Sequence, residues 1–210
     1  MKKKITVQVL LGLIVVSTIL FPVNETFAQS TYLNGTEIII EREIEGLTLD
    51  LQLEKLELIK SSAHNVANTA RKSNFASKMD VISNAQEVWQ VANEKQSYIE
   101  DLDILSRVMN AEAGSNHLRA DHPLAVGNVV LNRVNDSRFP DTIKEVVFAP
   151  GQYSCTWDGN IDKEVPQRIL DDAKKLLEGY RILPDKVVWQ APFKQGKGIY
   201  TKIDNHYFCY

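Results

Sequence analysis

Hydrophobic spacing divides the chain into stretches of different period. Ile5 to Val23 is almost wholly apolar. Residues 29 to 46 are polar apart from Ile38-Ile39-Ile40, a β-branched patch that predicts a short strand or a disordered lead-in. From Leu47 to Ser97 there is neither Gly nor Pro. Apolar residues recur at Leu49, Leu53, Leu56, Ala63, Val66 and Ala70, and again at Ile82, Ala85, Trp89 and Ala92, which is helical spacing. The break falls around Ser73 to Met79, so two amphipathic helices are expected. Alternation at Leu47, Leu49, Leu51 and Leu53 also fits a strand, which leaves the start of the first helix open.

The texture changes at Ser97. Ser97 and Glu100 have capping-box spacing and predict a new helix with the face Leu102, Leu105, Val108 and Met109, ended by Gly114. Asp121 as cap and Pro123 in the first turn open another, with Leu124, Gly127, Val130 or Leu131, and Val134 inward. Gly127 in that stripe permits close helix approach. Asp141 is expected to cap a short helix through Phe148. Pro166 opens a helix with Ile169, Leu170, Ala173, Leu176 and Leu177 buried, closed by Gly179. Val187 to Trp189 and Ile199 to Ile203 read as strands with Gly196 and Gly198 in a hairpin turn, and His206 to Tyr210 as a last strand. Helices dominate and strands come last, so the class is α+β. The expected domains are a signal peptide at 1–28, a helical extension or spacer at 29–97, and a catalytic domain at 98–210. The extension carries no catalytic constellation and reads as a packing arm, an inhibitory pro-region or a partner-binding arm.

The leader sets the compartment. Lys2, Lys3 and Lys4 precede the apolar run, and Thr26-Phe27-Ala28 supplies a cleavage site before Gln29. This is the three-part pattern of a secretory signal, with an uncleaved membrane anchor as the alternative. A secreted protein follows. The remaining 182 residues carry 21 Lys+Arg and 26 Asp+Glu, an acidic balance that excludes nucleic acid as the expected partner. No second long apolar run exists, so no membrane association is expected after cleavage, and a monomer is expected. Two cysteines, Cys155 and Cys209, are most simply a disulfide in an exported chain. A metal site with His206 and Asp158 is the alternative, although neither CxxC nor HExxH spacing is present.

One residue breaks its pattern. Continuing the stripe Leu105, Val108, Met109 by a turn reaches Glu112, an acid where a core residue belongs. It also lies at a helix C-terminus, where the macrodipole disfavours negative charge. Both effects favour the neutral acid, the form that glycoside cleavage needs to protonate a leaving oxygen. A solvated helix-end glutamate is the plain alternative.

The stretch from Ser106 through Glu112 to Gly114 resembles the opening motif of the spore cortex-lytic, SleB-type cell wall hydrolase family. Ala125 to Val134, Phe139-Pro140, Val146 to Phe148, Gly151-Gln-Tyr-Ser-Cys155 and Asn205 to Tyr210 resemble later motifs of that family, in order, over roughly residues 101 to 210. The resemblance implies a lysozyme-like or lytic-transglycosylase-like fold, Glu112 as catalytic glutamate, peptidoglycan glycan strands as partner, and no metal or organic cofactor. Departures exist: Gly114 to His122 is unlike the commoner loop, Tyr153 stands where many relatives have Phe, the cysteine pair marks a subgroup, and residues 29 to 97 replace the usual binding repeat. Spore cortex and vegetative wall are equally open as targets.

A two-carboxylate glycosidase needs a second acid, and Asp158 is the best placed of Asp121, Asp136, Asp141, Asp158 and Asp162. With no second carboxylate, a lytic transglycosylase is expected. Glu112 would protonate the bond between N-acetylmuramic acid and N-acetylglucosamine, then deprotonate the muramic C6 hydroxyl to leave a 1,6-anhydro product. Gln152, Tyr153, Ser154 and Thr156 are expected to line the sugar cleft, Tyr153 by stacking or charge stabilisation. Asn132, Trp189 and Gln190 are further substrate candidates, and His206 and Tyr207 could edge the cleft. His117 and His122 read as surface residues and Arg133 as an ion-pair partner. Two other classes compete: a zinc or Cys/His amidase, for which Cys155 with His206 is the only nucleophile pair, and a catalytically silent peptidoglycan-binding or coat protein.

Overall fold

The computed structural model describes residues 25–74 and 76–210, with side chains from residue 35 onward. The leader at residues 1–24 lies outside these, and the cleavage point expected after Ala28 falls within the first helix, α1 (Glu25–Ile44). There follow α2 (Leu49–Lys72), α3 (Lys78–Ala113), α4 (Asp121–Val134), α5 (Ile143–Phe148), α6 (Cys155–Asp158), a 3-10 turn (Asn160–Asp162), α7 (Gln167–Leu177), β1 (Trp189–Ala191), β2 (Ile199–Ile203) and β3 (His206–Cys209). The chain divides into two compact units between Ile99 and Glu100.

The described part of the first unit consists of helices joined by short turns, which overturns the strand expected at Ile38-Ile39-Ile40. Thr36, Ile40 and Ile44 recur every fourth residue and are all buried, whereas Ile38 is 49% exposed. Ile40 and Ile44 join Leu56, Ile59 and Ala63 of α2 and Val88, Ala92 and Ile99 of α3 in one core. Burying each isoleucine contributes about 1.5–3 kcal/mol, more than the roughly 1 kcal/mol span of strand propensity, so the helical stripe wins. Gly46, at φ 74°, follows the end of α1 and turns the chain into α2. The ambiguous start at Leu47 to Leu53 also resolves as helix.

The helix start expected at Ser97 is absent. α3 runs 36 residues without interruption. No Gly or Pro breaks it, and Ile99, Leu102 and Leu105 continue the buried stripe of Val88 and Ala92. A serine caps only where the backbone leaves the helix, and here it does not.

The second unit is built around α4, whose residues are almost all buried. A Cβ at Gly127 would lie 2.6 Å from Leu176 Cδ1 of α7 and 2.6 Å from Met109 Sδ of α3, so the glycine admits both neighbours. α7 contributes Ile169, Ala173 and Leu176 to the interior. α5 is capped by Thr142, not Asp141: the Glu145 amide donates to Thr142 Oγ1 at 3.2 Å, and that hydroxyl donates to Glu145 Oε2 at 2.9 Å.

The sheet is antiparallel with order β1-β3-β2. β1 and β2 are therefore not a hairpin, and Gly196 and Gly198 do not form its turn. They lie against Tyr210, whose amide donates to the Gly198 carbonyl at 3.0 Å and whose carbonyl accepts from Lys197 N at 2.6 Å. A Cβ at Gly196 would come within 2.5 Å of that carbonyl oxygen. The true hairpin turn joins β2 to β3 at Asp204-Asn205, with Asp204 at φ 49°. Ala125 and Val129 of α4 pack on Leu183, Val187, Ile203 and Phe208. The architecture is the α+β class that the element pattern predicts.

Candidate active site

Glu112 sits in the last turn of α3, following Leu105, Val108 and Met109, which are fully buried. Its own side chain is half-buried. The helix ends directly after it, with Gly114 N donating to Asn110 O at 2.8 Å. A Cβ at Gly114 would fall 2.8 Å from Asn110 Cα, so only glycine allows that exit. Arg168 donates to the Gly114 carbonyl and, at 3.3 Å, to Asn116 Oδ1. Asn110 Nδ2 donates to Glu164 O at 3.2 Å, and Arg107 is held by Asp103 at 2.8 and 2.9 Å while reaching Ile161 O at 3.4 Å. These ties fix the end of the helix that carries the acid.

The surroundings of Glu112 come from α6. Burial pushes its carboxyl above the ordinary value, a hydrogen bond from the Cys155 thiol pulls it part of the way back, and the negative charge of Asp158 pushes it up again. The result is a raised acid, in the direction the helix-end position predicts. Burial, with the adjoining Glu112 charge and hydrogen bond, pushes the Cys155 thiol up to about 12. Cys155 and Asp158 are the two ends of α6, which is held by Thr156 Oγ1 donating to Tyr153 O at 2.8 Å and by Asn160 N donating to Asp158 Oδ1 at 2.9 Å. Trp157 stands between them with 63% of its surface exposed.

A second cluster adjoins Tyr153. Arg133 is buried, donates from Nε to Val188 O at 2.7 Å and from Nη1 to Gln152 Oε1 at 3.1 Å. Its guanidinium lies 5.3 Å from the Phe139 and Tyr153 rings and 5.8 Å from the Trp189 ring. Its partners among the described residues are thus one backbone carbonyl, a side-chain amide and ring faces, not the ion pair expected.

Several expected site residues have other duties. Tyr153 is 2% exposed; its ring lies against Arg133, not open to a sugar, and burial pushes its phenol up to about 12. Asn132 is buried, donates from Nδ2 to Pro184 O at 2.8 Å and Val187 O at 2.9 Å, and accepts from Asn128 at 3.0 Å. It ties α4 to the segment before β1. The expected disulfide is not formed: Cys155 and Cys209 are free, both buried, and Cys155 directs its thiol to Glu112. Gln152, Ser154 and Asp158 are exposed, while Thr156, Trp189 and Gln190 are half-buried. Trp189 packs edge-on to Phe139 with ring centroids 5.5 Å apart. The structure thus brings Cys155, Asp158 and Tyr153 to Glu112, and sets Trp189 beside Arg133.

His122, expected at the surface, is fully buried. Its Nδ1 meets Asp204 Oδ2 at 2.9 Å and its Nε2 meets His206 Nδ1 at 2.9 Å. With Asp204 ionised, His122 donates through Nδ1 and accepts from His206 through Nε2, which fixes both tautomers. Nothing in the local spacing signals this chain, since its members lie 82 and 84 residues from His122 in sequence. Trp157, beside Asp158 in the loop after Gly151, is a further residue of this region that no motif singles out.

An α+β unit that holds a half-buried glutamic acid against a thiol and a carboxylate defines a candidate acid–base enzyme. Residues 120–209 match the family described as Cell Wall Hydrolase. This segment, less than half of the chain, is thus similar to the cell wall hydrolases, the family that the sequence motifs resemble. A spore cortex-lytic enzyme from Oceanobacillus iheyensis is 27% identical over 124 residues, which are 56% of this chain and 44% of that protein. The chain therefore spans less than half the length of this curated relative. Among solved structures, the catalytic domain of the Bacillus cereus SleB protein gives a TM-score of 0.46 at 22% identity, covering 52% of this chain and 89% of that one. The catalytic domain of the germination-specific lytic transglycosylase SleB from Bacillus anthracis gives 0.45 at 21%, covering 52% and 93%. The matched family segment begins after Glu112, so the role of that acid rests on its geometry. Among the described residues, no helix is long and apolar enough to cross a membrane.

Proposed function

We propose that this chain cuts the glycan strands of peptidoglycan at the bond between N-acetylmuramic acid and N-acetylglucosamine, with Glu112 as the proton donor. The observation that carries the reading is the state of that acid: burial and Asp158 push it up from its ordinary value, on a helix end that several side chains hold. A general acid must keep its proton until it reaches substrate and must be fixed in place, and a raised carboxyl on a braced helix end suits both needs. The family match and the cortex-lytic relative supply the substrate class. Glu112 first protonates the glycosidic oxygen. As carboxylate it then takes the proton of the muramic C6 hydroxyl, whose oxygen closes on C1 to give a 1,6-anhydro end. Secretion through the leader, cell-wall or cortex localisation, a catalytic domain at 98–210 and a monomeric state complete the proposal.

Asp158 supports a second reading. It is the carboxylate whose charge reaches Glu112, so a hydrolytic muramidase or glucosaminidase with Asp158 as its second acid is the competing route. The amidase reading loses ground, because a thiol pushed up to about 12 is a poor nucleophile. Digestion of purified peptidoglycan followed by mass analysis decides among the three. Anhydro-muropeptides that vanish with Glu112→Gln support the lytic route, reducing ends support hydrolysis, and free stem peptides overturn the glycan reading.

A further inference from the structure

We propose that Trp157 is a sugar-stacking platform, binding the glycan at the position next to the bond that is cut. The inference rests on the reading of Glu112 as a glycan-cleaving acid and adds a binding residue to it. Trp157 is a large apolar side chain with 63% of its surface in water, more than the 43% of Trp89, while Trp189 is half-buried. Single exposed hydrophobic residues are ordinary. What sets this one apart is its support. Cys155 and Asp158, at the two ends of the same single turn, both act on Glu112. Consecutive Cα atoms are about 3.8 Å apart, so the Trp157 backbone lies within about one sugar ring of the residues that surround the acid.

The turn that carries Trp157 is braced. Thr156 donates to Tyr153 O, Asp158 accepts from Asn160 N, Gly159 closes the turn at φ 80°, and the buried Ile161 follows, its carbonyl held by Arg107 of α3. A sugar ring presents C–H groups on its faces, and an exposed indole on a braced turn is a suitable partner because only two side-chain torsions are immobilised on contact. In a helical turn, residues 155 and 158 share a face and residue 157 points away from it. The ring is therefore offset from the acid, which places the stacked sugar beside the scissile bond. Contact at that distance holds substrate and transition state alike, so it acts on KM more than on kcat.

The test uses the full chain with soluble glycan strands freed of stem peptides. Trp157→Ala should raise KM about tenfold and leave kcat within about twofold, and Trp157→Phe should restore KM to within about threefold of the parent. In protein carrying Glu112→Gln, added glycan should change tryptophan emission, and Trp157→Phe should remove that change. An unaltered KM in Trp157→Ala, or an emission change that survives Trp157→Phe, overturns the platform while leaving the assignment of Glu112 intact. A parent protein that does not cut these strands overturns the reading beneath it, and the platform with it.

Discussion

The Cys155 thiol donates a hydrogen bond to the Glu112 carboxyl, and it is the one influence that pulls this acid downwards against burial and Asp158. A general acid works in its protonated form, so activity is present below its pKa and lost as pH rises through it. Cys155→Ala removes the downward pull, and the alkaline limb of the pH–rate profile should move to higher pH. Cys155→Ser keeps a donor and should stay near the parent. A limb that moves down in Cys155→Ala would sink this account.

The two carboxylates have separable effects. Glu112→Gln should lower kcat by about 10²- to 10⁴-fold, the usual worth of a positioned proton donor, with the fold retained by circular dichroism. Asp158→Asn removes a charge that raises Glu112, so the alkaline limb should shift to lower pH. On the lytic route kcat falls only modestly. A loss as deep as that of Glu112→Gln would instead make Asp158 the second acid of a hydrolase.

Asn132 should behave as a structural residue. Asn132→Leu strands the buried carbonyl of Val187 and the Asn128 amide, and each buried polar group left without a partner costs about 1–3 kcal/mol. Urea unfolding should show a loss of about 2–4 kcal/mol. A variant of unchanged stability with a raised KM would restore Asn132 to the sugar cleft.

Acid should loosen the β2–β3 turn. Burial and the neighbouring His122 hold His206 below its ordinary value, outweighing Asp204. For Asp204, burial pushes upwards but hydrogen bonds from Arg119 N and His122 prevail and lower it. Both groups bind protons more readily in the unfolded chain, so both contribute stability at neutral pH that is lost on acidification: His206 as pH falls below its ordinary value of 6.5, and Asp204 at still lower pH. The urea midpoint should therefore fall between pH 7.5 and 5.5, and the fall should shrink in His206→Gln. Equal slopes in the two proteins would remove the histidine chain as the cause.

What the sequence disclosed follows from how each feature is encoded. The stripe Leu105, Val108, Met109 and the anomaly at Glu112 are periodic, and period is local information. So is the glycine at 127, whose neighbours proved to be Met109 and Leu176. Depth is not local: Tyr153 and Asn132 carry sugar-binding chemistry in their side chains, yet both lie inside. Ile38-Ile39-Ile40 looks like an isolated apolar patch because the stripe it belongs to, Thr36, Ile40 and Ile44, includes a threonine and recurs at every fourth residue. Ser97 and Glu100 misled because a capping box has meaning only at a helix end. The chain from Asp204 through His122 to His206 joins distant segments, and no spacing rule reaches that far.

The strand order has a consequence for assembly. β3 lies between β1 and β2 and is the last element of the described chain to be synthesised. Until it emerges, β1 and β2 have no partner in this sheet, and the Phe208 position among Val129, Val187 and Ile203 is vacant. The sheet therefore closes only once β3 is present, as the central strand of the β2–β3 hairpin pairs with β1. A nascent chain halted before His206 would carry two unpaired strand segments, the condition under which unfinished chains pair with one another.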